Sequence, residues 1–581
     1  MIPYLKPCLL LVIACHLTGA ANPMPAPIQW IPPNALLCIE LTEPTAIIDM
    51  VTSDRAFAAL KKLPVYQDFE TNPKFTEFIN GVRFLETALA MPWNEALPQL
   101  IGGGVTFAVC PDESVILIVD AEDGQLLQRL HEIVLGLAKV DAGQKGESGP
   151  VSAEYLGVTG WSFDGKEAHA IIDNRLVLTN KPDTLKSVLE SRDQASAGLN
   201  AHAKYLAAGK TVAEGAVGRI YADLETLTQI PDLRQALTEG NSNPIAALLM
   251  AGILESIRNS TWLCAGLHTQ QEALRFQAHV DGQLLDRKGP AGFVLPRQSD
   301  QGAWPHLSVP GGIASLSLYR DLFRFYGAKD DLFPERTSGL IFFENMMGIF
   351  FSGRDLTDEV LAETLPEMRL VVAQQQYDPA QGVPSVQFPG FALVMRLKEE
   401  QAFDMVAEEA WQKAVGLVNF TRGQQGMPGL IIDRPMHNQT KFTVGYFSTA
   451  GADDSAHLHT RFNFRPSLAL PHNYLILSST DALARDLIDA VNREKNGSAR
   501  AETFDHTSVE LNGQSLAAIL RANIKALVRN NMVDKGVSEQ EAETSMNTLI
   551  TVAQLFDHIK LSLGTRQALT RAELELGLKL N

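Results

Sequence analysis

The chain has 581 residues, of which 45% are hydrophobic and 20% charged, as in folded globular proteins rather than disordered chains or multi-span membrane proteins. Its length is typical of roughly two to four domains, each large enough to fold without disulfides or metals. The 49 Lys and Arg against 67 Asp and Glu give a formal net charge of −18, which repels phosphate, so no nucleic acid is expected as a partner.

Residues 1–21 have the pattern of a signal peptide. Lys6 precedes a short apolar run, and small residues follow up to Ala20 and Ala21, where we expect cleavage. Residues 22–34 then form an N-terminal linker. In the alternative, a lipoprotein signal, Cys15 is lipidated and anchors the protein, and membrane contact is expected only in that case. The sequence therefore predicts an exported protein, either periplasmic or extracellular.

Three cysteines remain after the signal peptide. Cys38, Cys110 and Cys264 each lie in an apolar run typical of a buried strand, so we interpret them as inert thiols of the core. A single disulfide is the alternative. None of them has the Cys-x-x-Cys spacing of a redox or zinc site.

The same order of elements occurs twice along the chain. We predict a first repeat at residues 35–285, a polar linker at 286–304 and a second repeat at 305–581. Each repeat begins with an apolar strand followed by a helical stretch, and a short matching segment comes next. The strands are predicted at 35–41 and 313–318, and the matching segments are 95–100 and 363–368.

Hairpins and helices then follow in the same order in both repeats. In the first, a hairpin leads into a helix, a tight hairpin with an Asp173-Asn174 turn leads into a second helix, and a long hairpin closes the repeat. In the second, Ser479 or Thr480 is a plausible N-cap for the helix after the tight hairpin. The predicted segments of the first repeat are 105–110, 115–119, 124–139, 168–172, 176–179, 182–191, 261–268 and 273–280. Those of the second are 369–373, 391–397, 400–418, 467–470, 475–478, 481–492, 559–563 and 568–580.

Alternation of apolar and polar residues in these strands favours antiparallel sheets with one face wet and helices on the other. The predicted fold class is therefore α+β, with two tandem copies of a unit in which helices pack on an antiparallel sheet. Residues 374–389 and 421–454 interrupt the shared plan, and we interpret them as surface loops.

Three segments of the first repeat are similar to known proteins. They are the opening strand at 33–37, Leu97-Pro98 before the 102–105 glycine run, and Gly157-Val158 before the 173–178 hairpin. On these segments the chain resembles a family of uncharacterised secreted bacterial proteins known only as a domain of unknown function. The resemblance covers most of the first repeat and extends more faintly into the second. It implies a location in the cell envelope, carries over no catalytic residues and leaves the function open.

Candidate residues for chemistry are few. His457 and His459 are two apart, so a strand would place both imidazoles on one face as weak metal candidates, but the sequence offers no third ligand. The 102–104 glycines precede a strand and not a helix, which favours a tight bend over a phosphate loop. Acidic pairs such as Asp223 with Glu225 are typical of solvated faces. We therefore predict no catalytic residue, no cofactor-binding residue, no metal site and no cofactor.

An unusually apolar segment stands out in the second repeat. Phe342, Phe343, Met346, Met347 and Phe350 lie within twelve residues that are almost all apolar. One interpretation is a buried helix of the core. The other is a pocket or surface for an apolar ligand or a partner protein, because Met and Phe adapt to irregular shapes.

Three hypotheses for function follow. The leading one is a non-catalytic envelope protein, a binding or assembly module whose broad sheets contact another envelope protein. The first alternative is a periplasmic carrier of a lipid or another apolar ligand, which predicts a pocket lined by Leu, Phe and Met. The second alternative is a hydrolase of unrecognised class, for which His457 and His459 would be starting points. An enzyme is the less favoured class, because the common hydrolase, metalloprotease and nucleotide motifs are absent from the sequence.

Overall fold

The computed structural model describes residues 24–61, 66, 73–146, 148–193, 198–238, 244–270, 273–282, 289, 291–296, 301–333, 338–377, 383–447, 457, 458, 460–497, 505–566 and 569–579. The predicted signal peptide at 1–21, with Cys15, lies outside these ranges, as do parts of the predicted linkers. Across the described ranges, no helix is both long enough and apolar enough to cross a membrane.

The first half contains these helices and strands in chain order: β1 Leu37–Leu41, α1 Pro44–Thr52, α2 Asp54–Lys61, α3 Pro73–Leu89, α4 Trp93–Ile101, β2 Gly104–Val109, β3 Val115–Asp120, α5 Gly124–Lys145, β4 Val151–Tyr155, β5 Val158–Ser162, β6 Ala168–Ile172, β7 Arg175–Thr179, α6 Pro182–Asp193, α7 Ala203–Gly209, β8 Gly218–Ala222, α8 Leu224–Leu227, α9 Pro231–Thr238, α10 Pro244–Arg258, β9 Leu263–Gln270 and β10 Ala273–Val280. Asp123 caps α5 by accepting hydrogen bonds from the Gln125 and Leu126 amides.

A short helix, α11 Ala291–Val294, lies in the predicted linker. The second half continues with β11 Gly312–Tyr319, α12 Leu322–Gly327, α13 Lys329–Leu332, α14 Ser338–Phe350, β12 Thr364–Ala373, β13 Val383–Pro384, β14 Gly390–Leu397, α15 Glu400–Gln424, β15 Leu430–Asp433, β16 Met436–His437, β17 Thr440–Phe447, β18 His457–Leu458, β19 Ser467–Ala469, β20 Tyr474–Ser478, α16 Asp481–Asn496, β21 Asp505–Asn512, α17 Gly513–Ala522, α18 Ile524–Lys535, α19 Glu539–Gln554, β22 Phe556–Arg566 and β23 Leu569–Leu578.

Both halves of the sheet have one strand order. In the first half the hydrogen-bonded order is β4-β5-β6-β7-β3-β2-β1-β8-β9-β10, and every pair is antiparallel. In the second half it is β15-β17-β19-β20-β14-β12-β11-β21-β22-β23, again antiparallel throughout. The chain thus has the predicted α+β class, and corresponding strands occupy corresponding places. Descent of the halves from one duplicated unit stays a prediction.

The two halves join edge to edge. β10 pairs with β23 over eight residues, from Ala273 opposite Gly577 to Val280 opposite Thr570. These are corresponding strands, and an antiparallel pair of corresponding strands relates its two sides by an approximate two-fold axis. Arg275 forms an ion pair with Glu573 across the pair. The result is one continuous sheet through both halves.

A buried arginine makes a second connection between the halves. Arg320 follows β11 and donates hydrogen bonds to the carbonyl of Leu248 in α10, at 2.8 Å, and to the carbonyl of His506 in β21, also at 2.8 Å. It also donates to the Thr507 hydroxyl at 2.7 Å. Burial lowers the pKa of Arg320 to about 10, so its charge persists at neutral pH and needs these acceptors. Arg320 therefore holds helix α10 of the first half against strands of the second.

The central strands of the second half are covered on both faces, which corrects the prediction of one wet face for that half. In β14, Ala392 and Val394 face one apolar cluster, which includes residues of α16. The alternate residues Met395 and Leu397 face a second cluster, which includes residues of α15. Such a strand is apolar at consecutive positions because both of its faces pack against helices.

The structure departs from the expected shared plan at the 421–454 segment and at the matching segments. The predicted surface loop at 421–454 contains β15, β16 and β17, and two of these occupy the places that β4 and β5 have in the first half. The predicted loop at 374–389 contains the two-residue strand β13 in its described part. The matching segments also differ: 95–100 is helical within α4, whereas 363–368 ends a helical turn and begins β12.

The predicted tight hairpins are confirmed. Asp173 has a φ of 55°, and His472 and Asn473 have φ values of 52° and 62°, the left-handed conformation that such turns require. Thr480 is the N-cap of α16, because its hydroxyl accepts a hydrogen bond from the Leu483 amide at 3.3 Å.

His506 should make the protein less stable in mild acid. Burial and the neighbouring Arg320 charge lower the pKa of His506 to about 3, against about 6.5 in an unfolded chain. Between these values only the unfolded chain binds the proton, so stability is lost as the pH falls through this window. We expect His506 alone to reduce the free energy of unfolding by about 1–2 kcal/mol between pH 7 and pH 5. Urea unfolding at both pH values measures this, with His506→Asn as the comparison. An equal loss in both proteins would contradict the assignment.

Candidate apolar ligand site

The unusually apolar segment forms helix α14. Phe343 and Met347 are four residues apart and so share one face of the helix, and Phe351 continues that face. These three side chains line a cavity. Phe342 lies on another face and is 66% exposed, so the interpretation of α14 as a fully buried helix is wrong. Of the five predicted residues, the structure places Phe343 and Met347 at the cavity, whereas Phe342, Met346 and Phe350 lie outside its lining.

The cavity has a volume of about 840 Å³. This lies within the range of about 300–1,000 Å³ that is typical of small-molecule sites. Its lining is almost entirely apolar and comes from helices of both halves together with the sheet. The lining residues are Pro244, Ile245, Leu248, Leu322, Phe325, Tyr326, Lys329, Phe333, Phe343, Met347, Phe351, Leu356, Val360, Leu361, Thr364, Leu393, Met395, Phe403, Leu475 and Leu477.

Several polar contacts hold the walls in place. Arg320 fixes the carbonyl of Leu248 in α10, and Ala247 on the same helix packs with Phe333. The Asp321 carboxylate accepts a hydrogen bond from the Arg324 amide at 3.0 Å and so caps α12. Helix α15 is connected to the segment after α14 by the Arg354 to Glu409 ion pair at 3.0 Å. The walls are thus attached to the sheet and to one another outside the cavity.

Few groups of the lining can form hydrogen bonds with water, so an apolar ligand displaces water from it easily. Thr364 is one of its few polar residues, and its hydroxyl already donates a hydrogen bond to the Leu361 carbonyl at 2.8 Å. Apolar walls of this kind gain roughly 25 cal/mol for each Å² of apolar surface that a ligand covers. The cavity therefore has the size and the apolar lining to hold a hydrocarbon group.

Sequence reasoning missed the part of this site contributed by the first half. Ile245 and Leu248 lie on α10, nearly one hundred residues before α14, and reach the cavity because β10 pairs with β23. A weak sequence signal exists, since the α10 segment PIAALLMAGILESIR is apolar on more than one face. The sheet residues Leu475 and Leu477 belong to a strand that was predicted, without any indication that its side chains border a cavity.

The structure leaves the metal candidates untested, because only one of the two histidines lies in the described part of the chain. The backbone of His457 lies in β18, which pairs in parallel with β13, and His459 lies outside the described residues. Among the residues whose positions the structure gives, no three His, Cys, Asp or Glu side chains are arranged to hold a metal ion.

The other residues that the sequence singled out have structural explanations. Cys38, Cys110 and Cys264 are buried, unpaired thiols of one core cluster, and burial raises the pKa of Cys110 and of Cys264 to about 11. A methyl group at Gly103 would lie 2.8 Å from the Asp120 carbonyl oxygen, so close approach of two chain segments explains this glycine. Among the acidic pairs, Asp223 and Glu225 both bind Lys204, at 2.9 and 2.6 Å.

Comparisons with known proteins assign no family. No protein-family model matches the chain, and no curated protein matches it. Solved structures of TP0453 resemble part of it: crystal form I has a TM-score of 0.22 at 7% identity and covers 45% of this chain and 81% of that chain. Crystal form IV has a TM-score of 0.23 at 8% identity, with 46% and 85% covered. At these TM-scores the likeness supports no argument about fold or function.

Truncating two phenylalanines of the cavity lining should lower the free energy of unfolding by different amounts. Phe403 is buried on the core side of the wall, so Phe403→Ala should lower the free energy of unfolding by roughly 3–5 kcal/mol. Phe343 is 44% exposed and borders open space, so Phe343→Ala should cost only about 1 kcal/mol. Urea unfolding of the two variants tests this. If both variants lost a similar free energy of unfolding, the prediction would be wrong, and the space beside Phe343 would be filled by protein in solution.

Proposed function

We propose that this protein is an exported carrier or receptor of an apolar molecule, which it holds in the cavity between α10, α14 and strands β14 and β20. The observation that carries the proposal is the cavity of about 840 Å³ with its Leu, Phe and Met lining. The carrier hypothesis called for an enclosed pocket with such a lining, and this cavity has the lining but is partly open to solvent. Export to the periplasm or beyond the cell, free or anchored through Cys15, is part of the proposal and rests on the sequence pattern alone.

The energetics favour a ligand with a hydrocarbon part. A cavity lined by Leu, Phe and Met attracts water weakly, as apolar cavities in other proteins stay dry and take up hydrocarbons. Covering about 200 Å² of such surface would contribute roughly 5 kcal/mol before the entropy cost of association is subtracted. Micromolar affinity corresponds to about 8 kcal/mol, so a ligand must cover considerably more apolar surface than this to reach it.

A second candidate is the binding or assembly module for another envelope protein. It is favoured by exposed apolar side chains on the outer faces of α14 and α15, among them Phe342 and Phe420, which are 66% and 63% exposed. Large exposed apolar side chains are common at protein interfaces. The hydrolase hypothesis stays a prediction without support from the described residues, because its candidate His459 lies outside them.

Two aspartate substitutions on α14 distinguish the candidates. Phe343→Asp places a charge in the cavity lining, which an apolar ligand cannot compensate, so its affinity should fall about tenfold or more. Phe342→Asp places the same charge one residue away on the exposed face and should change the affinity less than about twofold. The measurement is fluorescence titration of each purified mature protein with N-phenylnaphthylamine, an uncharged apolar probe.

Matched folding controls complete the experiment. The urea midpoint of each variant shows whether it is folded under the titration conditions. If Phe342→Asp weakens binding as much as Phe343→Asp, the probe binds the exposed face and the cavity proposal is wrong. Failure of the unaltered protein to bind the probe, or any apolar molecule in native mass spectrometry, would also overturn it.

A further inference from the structure

A second cleft lies in the first half, between helix α5 and strand β5. Its volume is about 640 Å³, within the range typical of small-molecule sites, and it shares no lining residue with the apolar cavity. Gln128, His131 and Glu132 line it from α5, where positions three and four residues apart share one face. Thr159 and Trp161 line it from β5, where positions two apart share one face. The cleft therefore combines an indole ring with polar groups from two walls.

A buried histidine holds the rings of the cleft in place. His169 lies opposite Trp161 in the neighbouring strand β6, is 2% exposed, and has its Nε2 atom 3.1 Å from Nε2 of His131. Burial lowers the pKa of both histidines, so both are neutral at pH 7 and one donates its N–H to the other. The rings of His131 and Trp161 meet edge to face, with their centres 5.9 Å apart. Glu132 therefore carries the only full charge among the described residues of the lining.

Four polar groups of this lining have no hydrogen-bond partner within the described part of the chain. They are the amide of Gln128, the carboxylate of Glu132, the hydroxyl of Thr159 and the indole N–H of Trp161. The amide and the hydroxyl both donate and accept hydrogen bonds, the carboxylate accepts them and the indole donates one. Together they can bind a ligand that has donors and acceptors around its edge.

The corresponding place in the second half is occupied by side chains that bind one another. Counted from the tight hairpin turns, Trp161 in β5 and Thr443 in β17 occupy the same register. The Thr443 hydroxyl donates a hydrogen bond to the Glu408 carboxylate of α15 at 3.0 Å, and Arg434 pairs with that carboxylate at 2.9 Å. These groups satisfy one another, whereas those of the first half are left for a partner from outside the protein.

We propose that the cleft of the first half binds a neutral saccharide, whose ring lies against Trp161 and whose hydroxyls bond to Gln128 and Glu132. A sugar ring has an apolar face of C–H groups and an edge of hydroxyls that donate and accept, which matches an indole bordered by such groups. An anionic ligand would be repelled by Glu132, and the described lining has no Lys or Arg to offset this. A peptide cannot extend the sheet here, because β5 already pairs with β4 and with β6. This function is additional to the proposed carrier function and does not depend on it.

A glycan array tests the class of ligand. The full mature chain is labelled at its lysines, of which the described lining contains none, and is applied to neutral, acidic and amino-sugar oligosaccharides. We expect binding to neutral oligosaccharides only. Calorimetric titration then measures the affinity for the neutral oligosaccharide with the strongest signal. Binding to no glycan, or a preference for acidic or amino sugars, would overturn the proposal.

Variants of the two walls assign the binding to this cleft. Trp161→Ala should weaken the titrated oligosaccharide about tenfold or more, and Gln128→Ala about threefold to tenfold, since each removes a direct contact. Gln125→Ala is the matched control, because Gln125 lies on the same helix outside the lining, and it should change the affinity less than about twofold. An equal effect of the two glutamine variants would place the saccharide elsewhere and contradict the proposal.

Further measurements separate this inference from the proposed function. Gln128 is exposed, so its truncation leaves a folded protein even if Trp161→Ala lowers the urea midpoint. Gln128→Ala should leave the binding of N-phenylnaphthylamine unchanged, and Phe343→Asp should leave the binding of the oligosaccharide unchanged. Loss of oligosaccharide binding in a folded Phe343→Asp protein would show that the saccharide occupies the apolar cavity, and the cleft would then lose its assignment.

Discussion

The pairing of β10 with β23 is the contact on which the rest of the molecule depends. Each half has a sheet whose last strand would otherwise be an edge, with its amides and carbonyls open to another chain. Eight opposed residue pairs, from Ala273 with Gly577 to Val280 with Thr570, close both edges at once. The pair also fixes the orientation of the halves, since corresponding strands can pair antiparallel in a single register only if a two-fold rotation relates them.

That orientation brings a helix of the first half over the second. Helix α10 precedes β9 and β10, and Arg320, which follows β11 in the second half, binds its Leu248 carbonyl. The cost of burying the guanidinium is offset by its several hydrogen bonds, because an unpaired buried charge would be strongly destabilising. A cavity wall made of Ile245 and Leu248 follows directly from this arrangement.

Local patterns could be predicted from the sequence, whereas relations between distant segments could not. The hairpin turns at Asp173 and at His472 and Asn473 are set by residues that tolerate left-handed angles, and the α5 and α16 helices follow recognisable caps. Strands β15 and β17 were missed because their counterparts β4 and β5 were not predicted in the first half, so the 421–454 segment had no match there and was interpreted as a loop. For the site, the sequence indicated α14 but not its partners, since Leu248, Phe343 and Leu475 are far apart in the chain and meet only through the sheet.

The two halves have the same strand order, but the helices that cover corresponding faces of the sheet enclose different environments. In the first half, the space under α3, α4 and α5 contains an apolar cluster with Leu89, Ala96 and Leu126. In the second, the corresponding space lies under α14 and α15, with a helical turn in the place of α4, and it holds the cavity. The residue that follows the first strand also differs between the halves. Thr42 follows β1, whereas Arg320 follows β11, and its long side chain reaches α10. The hydrogen bond from Arg320 to Leu248 thus acts together with the β10–β23 pairing to hold a wall from the first half at the cavity.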